Sequence, residues 1–103
     1  MKFAAEMIPA DVERYIARRF AAADREAALT LLRTATLHDG SAPEPRLLRC
    51  AVVASGGSLE RLRMEVETLR RDYRDVIVEG EYVTRGRELV KARDLNEPIT
   101  DET

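Results

Sequence analysis

Eight positions in the second half of the chain are spaced alternately three and four residues apart. Seven of them carry apolar side chains and the eighth is a glycine: Leu59, Leu62, Val66, Leu69, Tyr73, Val76, Gly80 and Val83. A 3.5-residue period is typical of a helix packed lengthwise against another helix. At ~1.5 Å per residue, this seam predicts a helical element roughly 36 Å long, covering about residues 58–82.

Three shorter helices are predicted before the long one. Residues 10–21 and 24–38 each carry apolar side chains three and four positions apart, so that one face of each helix is apolar. Residues 45–55 are apolar almost all round, which is expected of a helix in the middle of the packing. The glycines that follow end this third helix, and Ser58 is a good N-cap for the fourth.

The end of the long helix is open to a second interpretation. Residues 76–83 read VIVEGEYV, which favours a strand on propensity, and residues 87–95 could supply a hairpin partner. The alternating spacing nevertheless continues through Gly80, so we predict a helix to about Tyr82. A glycine inside a helix costs ~1 kcal/mol relative to alanine, and its presence indicates the close approach of a neighbouring helix.

These patterns predict an all-α fold, in which residues 1–95 form a single helical domain. The domain is a compact bundle of four helices, approximately at 10–21, 24–38, 45–55 and 58–82. The remaining residues, 96–103, are polar and acidic, and we expect them to form a flexible tail. Two successive helical hairpins are also compatible with a HEAT-like arrangement.

Composition narrows the function classes. The 103 residues include 17 basic and 19 acidic side chains, so no field of one sign favours a dedicated nucleic-acid binder. A single cysteine cannot form an internal disulfide, and a reducing compartment therefore fits. No segment approaches the ~20 consecutive apolar residues of a membrane span. We expect a cytoplasmic protein with no membrane contact.

Charged residues flank the apolar seam at regular positions and form a candidate interaction surface: Arg63, Glu65, Arg70, Asp72 and Glu79. In a parallel homodimer through the long helix, Glu65 would face Arg70 of the second copy, which is an attractive pair. The other interpretation is that the seam is the core of the monomer, with the charges in solvent. We favour this interpretation because the three shorter helices need an apolar surface to cover.

Catalytic and metal chemistry find little support in the sequence. Asp72, Asp75 and Glu79 share a helix face, but no histidine joins them at ligand spacing, and Arg71 and Arg74 can neutralise them. The arginines of the long helix suggest nucleic acid, yet they scatter around the helix among glutamates. We therefore predict no enzyme, no cofactor and no metal, and regard nucleic-acid binding as unlikely.

The block RLLRCAVVASGGSLERLRMEVETLRRDYRDVIVEGEYV, residues 46–83, resembles a group of short bacterial proteins with no assigned function. Those proteins share a buried helix, a small turn and a long helix with a similar ending. The resemblance implies an all-helical bacterial protein and supplies no catalytic or ligand residues. Our leading hypothesis is a non-catalytic scaffold or interaction module that binds another protein or itself. The alternative is a nucleic-acid-associated regulatory protein that uses the arginines of the long helix.

Overall fold

The computed structural model describes residues 8–100. This part of the chain forms five α-helices followed by one β-hairpin, with a short 3-10 turn ahead of the second helix. The elements are α1 (Ala10–Arg19), the 3-10 turn (Ala22–Asp24), α2 (Arg25–Arg33), α3 (Pro45–Ser55), α4 (Leu59–Arg71), α5 (Tyr73–Glu81), β1 (Tyr82–Arg85) and β2 (Glu88–Lys91).

Helix α3 lies at the centre, as its apolar sequence predicts. Cys50, Ala51 and Val52 are completely buried, and α3 packs against α1, α4 and α5. The limits of α3 agree with the predicted range 45–55. Gly56 ends the helix in the left-handed conformation, with φ of +60°. The hydroxyl of Ser58 then accepts the first-turn amide of α4, as expected of an N-cap.

The prediction of one long helix is wrong. At Asp72 the backbone is extended, with φ −159° and ψ 99°, and this residue separates α4 from α5. The Asp72 carboxylate accepts the amide of Arg74 at 3.1 Å, so it caps α5. In a straight helix, Arg61 and Glu79 would stand ~27 Å apart. Their side chains instead meet at 3.0 Å, so α5 folds back beside α4.

The apolar seam faces the interior of its own chain. Leu62, Leu69 and Val76 are at most 1% exposed. A Cβ added to Gly80 would lie 2.7 Å from the Cα of Cys50, which confirms the close approach of a neighbouring helix at this glycine. Leu59 and Val66 are partly buried against the same core, and Tyr73 is 47% exposed. Most of the seam is therefore core within one chain, and little of the stripe that a parallel homodimer would need remains open.

The helix and the strand interpretations of residues 76–83 are both partly right. Residues 76–81 are helical, and α5 ends at Glu81, one residue from the predicted end. A hairpin follows in which β1 and β2 pair antiparallel, with Tyr82 opposite Lys91. The strand character of the sequence is thus expressed only after the helix. The fold is mainly helical with a small two-stranded sheet, not purely α.

The first two helices are shorter than predicted. Helix α1 ends at Arg19 rather than at residue 21, and α2 ends at Arg33 rather than at residue 38. The hydroxyl of Thr34 donates to the carbonyl of Thr30 at 2.9 Å. β-Branched residues with such local hydrogen bonds are weak helix formers, and the stretch that follows Arg33 contains two of them.

The C-terminal segment differs from the expected flexible tail as far as Thr100. Leu95 is 2% exposed and Ile99 is 7% exposed, so both belong to the core. The amide of Ile99 donates to the carboxylate of Asp11 at 2.9 Å. Residues 1–7 of the predicted domain and 101–103 of the predicted tail lie outside the described residues. Between residues 8 and 100, no helix has the length and apolar character needed to span a bilayer.

Candidate functional site

Glu81, at the end of α5, is completely buried, and both oxygens of its carboxylate accept hydrogen bonds. Its carboxylate accepts Nε and Nη2 of Arg46 at 2.9 and 2.8 Å and the amide of Leu95 at 3.1 Å. The hydrogen bonds from Arg46 hold the pKa of Glu81 below its ordinary value, although burial opposes them. Lys91 of β2 stands 3.7 Å away. This Glu81 cluster (Glu81, Arg46, Lys91 and Leu95) ties α3, α5, β2 and the C-terminal segment together.

Cys50 lies against this cluster and is not a candidate nucleophile. Its Sγ is 3.8 Å from an oxygen of Glu81, and the side chain is completely buried. Burial, and then the charge of Glu81, raise the pKa of the Cys50 thiol to about 12. Because the thiolate is the reactive form, this cysteine acts as a small core residue, as its apolar sequence context indicates.

The carboxylate of Asp11, on α1, also accepts hydrogen bonds from distant parts of the chain. Nε of Arg49 donates to it at 2.9 Å, and the same arginine donates to the carbonyls of Leu95 and Asn96 at 3.3 Å. Burial raises the pKa of Asp11, but the hydrogen bonds from Arg49 and from the amide of Ile99 outweigh it, and the net pKa is lowered. Asp11 and Arg49 therefore fasten the C-terminal segment across α1 and α3.

A groove of about 470 Å³ lies between the two helices that the extended residue separates. Both helices contribute acidic and apolar side chains to its lining, and the basic side chains come from α4. We name it the α4–α5 groove, and its lining residues are Arg61, Met64, Glu65, Thr68, Arg71, Asp75, Val78 and Glu79. The groove exists because α5 folds back beside α4.

Glu65 lines the α4–α5 groove, with only 6% of its side chain exposed. Its Oε2 accepts a hydrogen bond from Nε of Arg61, and the distance of 3.4 Å between the two atoms is long for such a bond. Its Oε1 is buried, and no hydrogen-bond donor within residues 8–100 reaches it. Burial raises the pKa of Glu65; the hydrogen bond from Arg61 opposes this rise, and the charge of Glu79 adds to it.

The predicted interaction surface is divided by the break at Asp72. Glu65 and Glu79 line the α4–α5 groove together, joined through Arg61, which contacts both carboxylates. Asp72 serves instead as the cap of α5. The two other predicted residues are exposed on α4 outside the lining of the groove, and these are Arg63 and Arg70.

Two shallower depressions flank Tyr73, whose side chain is 47% exposed at the start of α5. One of about 320 Å³ is lined in part by His38 and Arg74, and the other, of about 390 Å³, by Leu37 and Leu47. The structure gives these depressions no buried unpaired polar group among their lining residues. They provide weaker recognition chemistry than the α4–α5 groove.

Two of the three carboxylates that suggested a cation site pair with different arginines. Asp72 pairs with Arg74 at 3.0 Å and Glu79 pairs with Arg61. Within the described range, no group of three or more histidine, cysteine, aspartate or glutamate side chains is placed to hold a metal ion. Two of the arginines that suggested nucleic acid are the ones these carboxylates engage.

No protein-family model matches this chain, and searches of curated proteins and of solved structures also give no match.

Proposed function

We propose that this chain is a non-catalytic, cytoplasmic interaction module that binds another protein through the α4–α5 groove. The observation that carries the proposal is a pair of exposed apolar side chains on the two walls of one groove. Met64 of α4 is 59% exposed and Val78 of α5 is 38% exposed. Exposed apolar side chains within a polar rim are typical of protein–protein contact surfaces.

The surface around Met64 extends beyond the groove. Met64 also lines a second depression of about 350 Å³, together with Ser55 and Ser58 at the junction of α3 and α4. Methionine has an unbranched, polarizable side chain that adapts to a partner's shape. A side chain that stands between two concave regions could therefore contact a partner segment that crosses both.

The groove is supported by rigid elements. Both of its walls pack on the central helix α3. Leu62, Leu69 and Val76 are buried in the core, and Gly80 of α5 lies against Cys50 of α3. Arg61 links the walls by its contacts to glutamates of both helices. A preformed surface loses little conformational entropy on binding, which favours affinity from a small contact area.

Site-specific photo-crosslinking tests the proposal. A photoreactive phenylalanine analogue replaces Met64 in one variant and Leu89 in another, and both are irradiated in the cells that produce the protein. Leu89, on β2, is the matched control because it is an apolar residue with 60% exposure, almost equal to that of Met64. We expect a discrete covalent adduct from position 64, and only background from position 89.

A second substitution makes the result specific to the groove. Val78→Arg places a bulky positive charge on the opposite wall, and we expect it to abolish the adduct from position 64 while the fold persists, because Val78 is partly exposed. An adduct of twice the mass of the chain would identify the partner as a second copy. Equal adducts from both positions, or none from position 64, would contradict the proposal.

A further inference from the structure

We propose that the α4–α5 groove recognises a lysine side chain of the partner protein, whose ammonium group donates a hydrogen bond to Oε1 of Glu65. This inference rests on the proposed function and names the chemical group that the surface selects. The geometry behind it is a carboxylate that is buried in the lining of a groove and only half engaged.

The unpaired oxygen of Glu65 needs a hydrogen-bond donor. Buried carboxylate oxygens are almost always hydrogen-bonded, because an unpaired charged atom loses its hydration without compensation. Oε1 of Glu65 lacks a donor from any residue between 8 and 100, whereas Oε2 faces Arg61 at 3.4 Å. The missing partner is a donor, and a cationic donor would also neutralise the charge that the buried carboxylate carries.

The lining of the α4–α5 groove carries more negative than positive charge. Its lining includes three carboxylates, of Glu65, Asp75 and Glu79, and two guanidinium groups, of Arg61 and Arg71. Arg61 is shared between Glu65 and Glu79, at 3.4 and 3.0 Å. One negative charge therefore remains for an incoming cation to balance.

The single free acceptor of Glu65 suits lysine better than arginine. A guanidinium group binds a carboxylate best through two parallel hydrogen bonds to both oxygens. Here Arg61 already occupies the side of Oε2, so an incoming group has only Oε1 to reach. A compact ammonium group fits a single acceptor, and its rotatable donors need no fixed plane.

Apolar side chains line the path by which a lysine side chain would approach Glu65. Glu65 is deeply buried, whereas Met64 and Val78 are exposed at the edges of the same groove. A lysine has a stem of methylene groups that can lie along apolar side chains while its charged head goes further. The groove thus offers an apolar wall for the stem. Oε1 itself is closed to solvent, so the ammonium group reaches it only when a side chain that lines the groove moves aside.

A titration monitored by NMR tests this inference. The protein, with 15N and 13C labels, is titrated with the peptide acetyl-Ala-Lys-Ala-amide and with counterparts that carry arginine or norleucine in the middle. Norleucine has the stem of lysine without the charge. We expect the lysine peptide to shift the Glu65 carboxyl carbon and the Met64 methyl group in a saturable manner, the arginine peptide to bind more weakly and the norleucine peptide not to bind.

Two variants make the assignment specific. Glu65→Gln should weaken binding of the lysine peptide by roughly tenfold or more, because a hydrogen bond to a charged group is lost. Glu67→Gln is the matched control, since Glu67 lies on the same helix but is exposed and outside the groove lining, and it should bind as the parent does. Equal binding of the lysine and norleucine peptides, or unchanged binding by Glu65→Gln, would overturn the inference. Crosslinking from position 64 in the presence of such a result would leave the interaction surface standing and reject only the lysine.

Discussion

Glu81 and Glu65 are two buried glutamates on neighbouring helices, and their surroundings are opposite. Glu81 is fully enclosed, accepts two hydrogen bonds from Arg46 and one from a backbone amide, and has a lowered pKa. Glu65 is nearly as enclosed, has one long contact to Arg61 and an unpaired oxygen, and has a raised pKa. Burial alone therefore does not decide what a carboxylate does in this fold.

The difference separates the folding role of Glu81 from the binding role that we propose for Glu65. The Glu81 cluster joins elements that are distant in sequence, so the carboxylate is satisfied within the chain and stabilises the fold. Glu65 pairs with Arg61, four residues earlier on its own helix, and is linked to α5 only indirectly, because Arg61 also contacts Glu79. An incompletely paired buried charge weakens a fold, and the binding role that we propose for Glu65 would account for its presence here.

Glu81→Gln is expected to have the largest effect. The substitution keeps the size of the side chain but leaves Arg46 facing an amide inside the protein. Removing one partner of a buried ion pair costs about 3 kcal/mol or more, so the free energy of unfolding should fall by that amount in urea denaturation. Glu67→Gln, on the exposed surface, should change it by less than about 0.5 kcal/mol. A loss for Glu81→Gln as small as that of the control would refute the anchoring role.

Asp11→Asn is expected to have the second largest effect, of about 2 kcal/mol, because the substitution removes the charge that Arg49 and the Ile99 amide share. The loss should be local as well as global. Hydrogen exchange at the Ile99 amide should become much faster in Asp11→Asn, while exchange in α3 changes only with the overall stability. An Ile99 amide that exchanges as slowly as in the parent would show that Asp11 does not fasten this segment.

The sequence predicted the core better than the path of the chain. The alternating seam correctly identified Leu62, Leu69 and Val76 as buried, and Gly80 as a close contact between helices. It failed at Tyr73, which is 47% exposed, and at Asp72, because the periodicity of apolar residues hardly changes when a helix breaks and folds back. The signal for the break was present, since Asp72 followed by Asp75 is an N-cap with an acidic first turn, which we assigned to a surface stripe instead.

The buried charges were the least predictable part. In one continuous heptad, Glu81 would follow Gly80 on the outward side and would be exposed. It is buried because the hairpin and the C-terminal segment cover that side of α5, and their strand and tail sequences carry no helical period. Glu65 flanks the seam and was assigned to the candidate interaction surface, but its burial depends on the proximity of α5, which a straight helix does not provide.

Glu65→Gln is expected to have the smallest effect on stability, with the opposite sign. The pKa of Glu65 is raised above the ordinary value of 4.5, so its protonated form stabilises the fold below that pH, and the contribution is lost as pH rises through the raised pKa. The advantage of the glutamine variant should therefore grow between pH 4.5 and neutrality. Glu81 and Asp11 have lowered pKa values, and their contributions should persist at neutral pH and be lost only below their ordinary values of 4.5 and 3.8.

The most direct test is to measure the free energy of unfolding for Glu65→Gln and Glu81→Gln side by side in urea at pH 7. The two variants carry the same chemical change at two buried glutamates. We expect Glu81→Gln to lose about 3 kcal/mol, and Glu65→Gln to lie between the parent value and a gain of about 1 kcal/mol. If Glu65→Gln instead loses as much stability as Glu81→Gln, then Glu65 is a second structural anchor and the division between the two regions is wrong.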